Sequence, residues 1–188
     1  KFSVPSFCLK LSKIKKFFNN FFLKKNFGHG NQGYKIIDSQ KEFKKLTKLK
    51  KDDWIIQEFL DDNYKEYTCA VTQLGEFKDV IILNRRLNKG YTYFAEEVNN
   101  EALKNTLLGL AKKINLNGSI NVQLKIKKDK YAIFEINPRL SSTVMMRHLL
   151  GFKDCLWWIN YVLTNKLPKH SYKVKNRRLL KFFDEKYV

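Results

Sequence analysis

Acidic residues are scarce in this chain of 188 residues: 18 Asp and Glu stand against 37 Lys and Arg, giving a formal net charge of +19 at pH 7. Cysteine is scarcer still. Cys8, Cys69 and Cys155 are odd in number, far apart and without C-x-x-C spacing, which argues against a disulfide framework or a cysteine zinc site and fits a reducing, cytoplasmic setting. His29, His148 and His170 form no ligand cluster. No apolar run is long enough to cross a bilayer, and no signal peptide, internal repeat or low-complexity tail is visible, so no membrane partner is expected. The excess charge invites a nucleic-acid reading. Yet the lysines are spread along the chain, and no recognition helix, zinc spacing or RNA-binding aromatic motif accompanies them. A solvated basic surface with no specific nucleic-acid partner is the expectation.

What is present is enough for a core: 44% of the residues are hydrophobic and 14% aromatic. Alternation and apolar runs predict strands at residues 21–24, 34–37, 54–60, 66–83 (a meander), 119–126 and 131–136, with a closing strand within 178–188. Helical spacing predicts a helix over residues 39–49 with Ser39 as N-cap and Phe43, Leu46 and Leu49 inward. It predicts a second over 100–114, capped by Asn100, with Leu103, Leu107, Leu110 and Ile114 inward. Residues 141–163, including Trp157 and Trp158, read as helical cover, and residues 9–18 as a short basic helix leading into the first strand.

The chemistry concentrates at Phe134-Glu135-Ile136-Asn137-Pro138-Arg139. In a strand, side chains two apart share a face, so Glu135 and Asn137 offer oxygens together while Phe134 and Ile136 face a core. Mg²⁺ takes such hard oxygens, usually with only one or two protein carboxylates. Arg139 follows where a guanidinium can meet phosphate. An E-x-N pair before proline also serves turns at strand ends, so the company of this motif matters. Pairing residues 119–126 with 131–136 brings Gln123 near Glu135. Upstream, Lys24 precedes Phe27-Gly28-His29-Gly30-Asn31-Gln32-Gly33, whose glycines let backbone N–H groups approach an anion. A strand follows this loop, where a dinucleotide fold needs a helix. Gln57-Glu58-Phe59-Leu60 ends an apolar strand, and Glu66 lies shortly after it.

In this order the motifs resemble the ATP-grasp superfamily, most closely its carbamoyl-phosphate-synthetase-like carboxylate-amine ligases. The resemblance covers nearly the whole chain. It implies an α+β fold of two subdomains whose antiparallel sheets clasp ATP. The expected organisation is a lead-in at residues 1–20, a small lobe with a glycine-rich flap at 21–60, and a large lobe with the metal site at 61–188. It implies that Lys24, Gly28, His29, Gly30 and Gly33 hold phosphates, that Gln57, Glu58, Phe59 and Leu60 form the adenine hinge, and that Glu66 holds the ribose. Gln123, Glu135 and Asn137 would bind Mg²⁺, or Mn²⁺ in its place, with Glu135 and Arg139 serving phosphoryl transfer. The reaction implied is activation of a carboxylate by ATP as an acyl phosphate, then its joining to an amine or similar nucleophile; both partners are small molecules, and a homodimer is compatible.

Arg86, in Arg85-Arg86-Leu87-Asn88, is a candidate contact for a carboxylate or the γ-phosphate, and Arg147 and His148 are expected to border the same pocket. Departures from the family pattern are Gln32 and Lys25, where relatives carry an arginine and a proline. Members also carry an N-terminal α/β domain ahead of the point where this chain begins. A nucleotide-binding or regulatory lobe without catalysis of its own is therefore the alternative reading, and a basic nucleic-acid module a more distant one.

Overall fold

In the computed structural model, residues 8–10, 20–25, 34–46, 54–60, 63–127 and 130–182 are described below. They fall in two compact units, residues 1–64 with 127–134 and residues 65–126 with 135–188.

The first unit holds a four-stranded sheet in the order β1, β4, β2, β3, formed by β1 (Cys8–Lys10), β2 (Phe21–Lys25), β3 (Tyr34–Ile37) and β4 (Trp54–Glu58). All three pairings are antiparallel. Alternation puts Phe21 and Leu23 of β2 on one face, where they bury with Ile37, Leu46 and Ile56 against Phe43 and Trp54. Helix α1 (Gln40–Lys45) covers this cluster. Ser39 caps it, its hydroxyl accepting from the Glu42 N–H at 3.3 Å. The helix expected over residues 39–49 ends at Lys45, and residues 47–49 lie outside the described residues, Leu49 among them. Leu9 and Lys10 belong to strand β1 rather than to the expected helix, because they pair with Ile56 and Ile55; residues 11–18 are not among those described.

The second unit is built on a meander. β5 (Lys65–Leu74), β6 (Phe77–Asn88) and β7 (Tyr91–Glu97) follow one another, and β8 (Gly118–Lys127) pairs with the other edge of β5. With β10 (Arg178–Leu180) and β9 (Lys130–Asn137), of which residues 130–134 are grouped with the first unit, the sheet runs β10, β7, β6, β5, β8, β9. One face receives α2 (Glu101–Lys113), which packs on β5 and β6 through buried Leu103, Leu107 and Ala111. Asn100 caps α2 through its Oδ1, 2.9 Å from the Leu103 N–H. Ile114, expected inward, is half exposed because the helix has already ended there. The other face buries Ala70, Ile81, Leu83 and Ala95 against Met146, Leu150 and Phe152. These come from α3 (Val144–Leu150) and the segment leading to α4 (Asp154–Thr164). The helical cover expected over residues 141–163 is thus two helices, divided where Gly151 takes a left-handed φ of +98°.

Candidate functional site

The β5–β6 turn is only two residues long, Gly75-Glu76, with Gly75 at φ +53°. So short a turn fixes the register: Leu74 faces Phe77 and Tyr67 faces Asn84, and the same count carries Glu66 toward Arg85. On the other side of β5, Thr68 faces Gln123 of β8. Residues 66 and 68 share a face, so Glu66, Arg85 and Gln123 converge at one end of the sheet. The Arg85 guanidinium donates to Glu66 Oε1 from Nε (2.9 Å) and Nη2 (2.5 Å), and Nη2 also donates to Gln123 Oε1 at 2.6 Å. Glu66 Oε2 accepts no hydrogen bond among the described residues and stays available for a hydroxyl.

Further along this face, Thr68 Oγ1 donates to Asn121 Oδ1 at 2.7 Å, and the buried Asn121 Nδ2 has no partner. Beyond it a sealed polar chain begins. Thr72 donates to Ser119 (3.1 Å), Ser119 to Asp154 Oδ2 (3.0 Å), and Arg147 pairs with Asp154 at 2.7 Å with both side chains 1% exposed. Arg147 also donates to Ser141 (2.6 Å) and Thr143 (2.9 Å). Its donors are consumed inside the fold. The expectation that it borders a ligand pocket is replaced by an architectural role, and His148 is half-buried beside it.

On β9, Glu135 and Asn137 share a face as expected, and the Asn137 amide donates to Glu135 Oε1 at 2.7 Å. Glu66, Asp79, Glu96, Glu97 and Asp154 of this unit each pair with a cation. Glu135 does not. An exposed carboxylate without a cation partner, beside a carboxamide oxygen, is a donor set that suits Mg²⁺, which needs few protein carboxylates. No group of three acidic, His or Cys side chains able to hold a metal occurs among the described residues, so any ion here depends on amide oxygens and on the ligand's own. The third expected ligand, Gln123, has its oxygen engaged by Arg85. Arg139 is exposed, with Nη1 donating to the Leu140 carbonyl at 3.1 Å and its other donors meeting no acceptor among the described residues.

Arg86 points away from this constellation. It is adjacent to Arg85 in a strand and so lies on the opposite face, with its guanidinium 5.2 Å from the Phe94 ring centroid. Arg85, which sequence reasoning passed over, holds the place; the signal was the two-residue turn, which counts Glu66 opposite residue 85 and not 86. In the first unit Lys24 is half-buried on β2, opposite in sense to Phe21 and Leu23. Gln57 is buried, and its amide donates to the Phe134 carbonyl at 3.3 Å within that unit. Glu58 closes β4, with Phe59 and Leu60 following half-buried. Gly28, His29, Gly30 and Gly33 lie outside the described residues.

Comparison with known proteins agrees with this fold. No curated protein matches the chain. N5-carboxyaminoimidazole synthetase from Staphylococcus aureus in complex with ADP superposes with a TM-score of 0.62 at 16% identity, covering 81% of this chain and 42% of that one. The biotin carboxylase domain of Hydrogenobacter thermophilus 2-oxoglutarate carboxylase, solved with MgADP, ADP and bicarbonate, gives 0.65 at 14% identity, covering 81% and 38%. D-alanine-D-alanine ligase from Helicobacter pylori gives 0.57 at 18% identity, covering 84% and 49%. The chain thus spans less than half the length of these structures. The model of the family described as ATP-grasp in the biosynthetic pathway with Ter operon matches residues 50–182, and the chain belongs to that ATP-grasp family.

Proposed function

We propose that this chain is the ATP-using part of a Mg-ATP-dependent ligase that activates a carboxylate as an acyl phosphate and joins it to an amine or similar nucleophile. The observation that carries the reading is Glu135: an exposed carboxylate, beside the Asn137 amide and without a cation partner among the described residues, in a protein where cations outnumber acids two to one. Leaving it unpaired makes physical sense when the cation it serves arrives with the ligand. When bound, Mg²⁺ supplies charge neutralisation as the terminal phosphoryl group moves. Glu135 and Asn137 present oxygens to the ion, and Arg139 offers a planar fork to the transferring group. Glu66 Oε2 accepts from a ribose hydroxyl, while Oε1 is held by Arg85. Arg85 in turn holds Gln123 in place, which makes it a positioning residue. Lys24, the glycine loop at residues 28–33, and residues 57–60 are the assigned phosphate and adenine contacts.

The deciding experiment is calorimetric titration of ATP, with and without Mg²⁺, on the chain and on Glu135→Gln. Metal-dependent binding that the substitution weakens supports the reading. Binding indifferent to metal and to the substitution, or no binding, overturns it. The second reading is nucleotide binding without turnover. Phosphate release that requires both an acid and an amine separates the two.

A further inference from the structure

Helix α4 carries an apolar surface that no described residue covers. Its inner side is well seated: Trp157 packs edge-on against Phe77 and Phe152, with ring centroids 5.4 and 5.0 Å away. Its outer side presents Leu156, Ile159 and Leu163 at helical spacing, with Val162 beside them, and the neighbouring α3 adds Met145 and Leu149. Exposure across these six runs from 43% at Leu156 to 75% at Leu163. Together they offer on the order of 600 Å², the upper end of the largest apolar patch on a typical monomer and short of the roughly 800 Å² per partner of a standard protein interface.

The surroundings are mostly cationic, with exposed Glu76 as a neighbouring acid in the β5–β6 turn, where Gly75 and Phe77 lie against Tyr161 and Trp157 of α4. Over residues 140–182 the only acidic side chain is Asp154, which is sealed against Arg147. Lys153 and Lys166 stand exposed at the two ends of α4. On its flank a cleft of about 700 Å³ joins Trp157 and Gly151 to Lys169, Lys173 and Lys175. Projecting aliphatic side chains beside a cluster of cations are the requirement for an anionic amphiphile: the chains enter the acyl region while the lysines meet phosphate. A second copy would bring the same lysines against one another, and the apolar area falls short of what a stable dimer buries.

We propose that the α3–α4 face of the second unit docks on an anionic lipid surface. This is peripheral association, consistent with the fact that no described helix is long and apolar enough to cross a membrane. Its α4 part stands apart from the nucleotide reading, since Phe77, against which Trp157 packs, lies eight residues along β6 from Arg85, about 25 Å away.

The test is flotation with vesicles of phosphatidylcholine alone and of phosphatidylcholine carrying one-third phosphatidylglycerol. The chain is expected to float with the anionic vesicles, less so as salt rises. Val162→Asp with Leu163→Asp should cut that partitioning at least tenfold while leaving circular dichroism and ATP titration unchanged. Lys169→Glu with Lys173→Glu, which leaves the apolar side chains in place, should remove the preference for anionic over neutral vesicles. Flotation with neither vesicle, equal flotation with both, or partitioning unaffected by the aspartates overturns the proposal. So does sedimentation as a dimer that the aspartates dissociate while vesicles are ignored, which assigns the face to a second copy.

Discussion

Arg85 and Arg147 each meet a carboxylate against the same sheet, in opposite circumstances. Arg147 and Asp154 are both 1% exposed, with Ser141, Thr143 and Ser119 completing their hydrogen bonds. Arg85 and Glu66 are 10% and 24% exposed, share a single oxygen, and leave Glu66 Oε2 and most of Gln123 unused. A closed set of donors and acceptors is architecture, because any ligand would have to break it. An open set with spare acceptors at a sheet end has room for a ligand, which is the role proposed for Glu66. Charge alone would have ranked the two arginines equally.

The largest expected effect breaks the closed pair. Arg147→Ala leaves Asp154 buried and unpaired, and should cost about 3–5 kcal/mol in chemical denaturation. Arg147→Met with Asp154→Leu should recover most of that, because an apolar pair of similar volume removes both charges. A loss below about 1 kcal/mol for Arg147→Ala would show that the pair is not sealed in solution.

Next in size is Gly118→Ala, also at the closed end. Gly118 opens β8 at φ +133°, and a Cβ there would lie 2.5 Å from Trp158 Cζ2. The indole of a seated helix has little room to yield, so a destabilisation of about 1–3 kcal/mol is expected, read as a lowered denaturation midpoint. An unchanged midpoint would mean that α4 shifts freely on the sheet.

At the open end the balance should reverse. Arg85→Met should cost only about 1 kcal/mol of stability, as for a partly solvated pair, yet weaken ATP binding about tenfold by releasing Glu66 and Gln123. Arg85→Lys should not restore it, because an ammonium cannot span both oxygens with a planar fork. Arg86→Met, which loses only a contact with Phe94, should leave affinity unchanged. Equal losses at 85 and 86 would erase the distinction between the two faces.

Much of this arrangement is legible in the residues. The strand pattern, both N-caps and the shared face of Glu135 and Asn137 follow from local periodicity and capping chemistry. What is not legible depends on pairing at a distance. Choosing Arg85 over Arg86 requires the β5–β6 register, and the fate of Arg147 requires knowing that Asp154 and Ser119, 7 and 28 positions away, come to rest beside it. The exposed side of α4 is not legible for a related reason: residues 141–163 read only as helical cover, and it takes the seating of Trp157 to show which side faces in and that Leu156, Ile159 and Leu163 face out.

The smallest effect concerns the opposite face of β5, where burial replaces pairing altogether. Residues 67 and 69 point away from Glu66 and Thr68, and burial pushes the Cys69 thiol and the Tyr67 phenol above their ordinary values of 9.0 and 10.0. Both groups stay protonated in the folded chain where the unfolded chain would release the proton. Their contribution to stability is therefore whole below pH 9 and lost as pH rises above it, first for Cys69 and then for Tyr67. Each fully mismatched group steepens the loss by about 1.4 kcal/mol per pH unit. Denaturation midpoints should hold steady from pH 7 to pH 9 and fall beyond it, and Cys69→Ala should flatten the first part of that fall. The same burial predicts that maleimide, followed by peptide mapping, modifies the half-buried Cys155 in the native chain and Cys69 only on unfolding. Rapid labelling of Cys69 under native conditions would mean that α2 opens from the sheet, and that this face is no more closed than the one carrying Glu66 and Arg85.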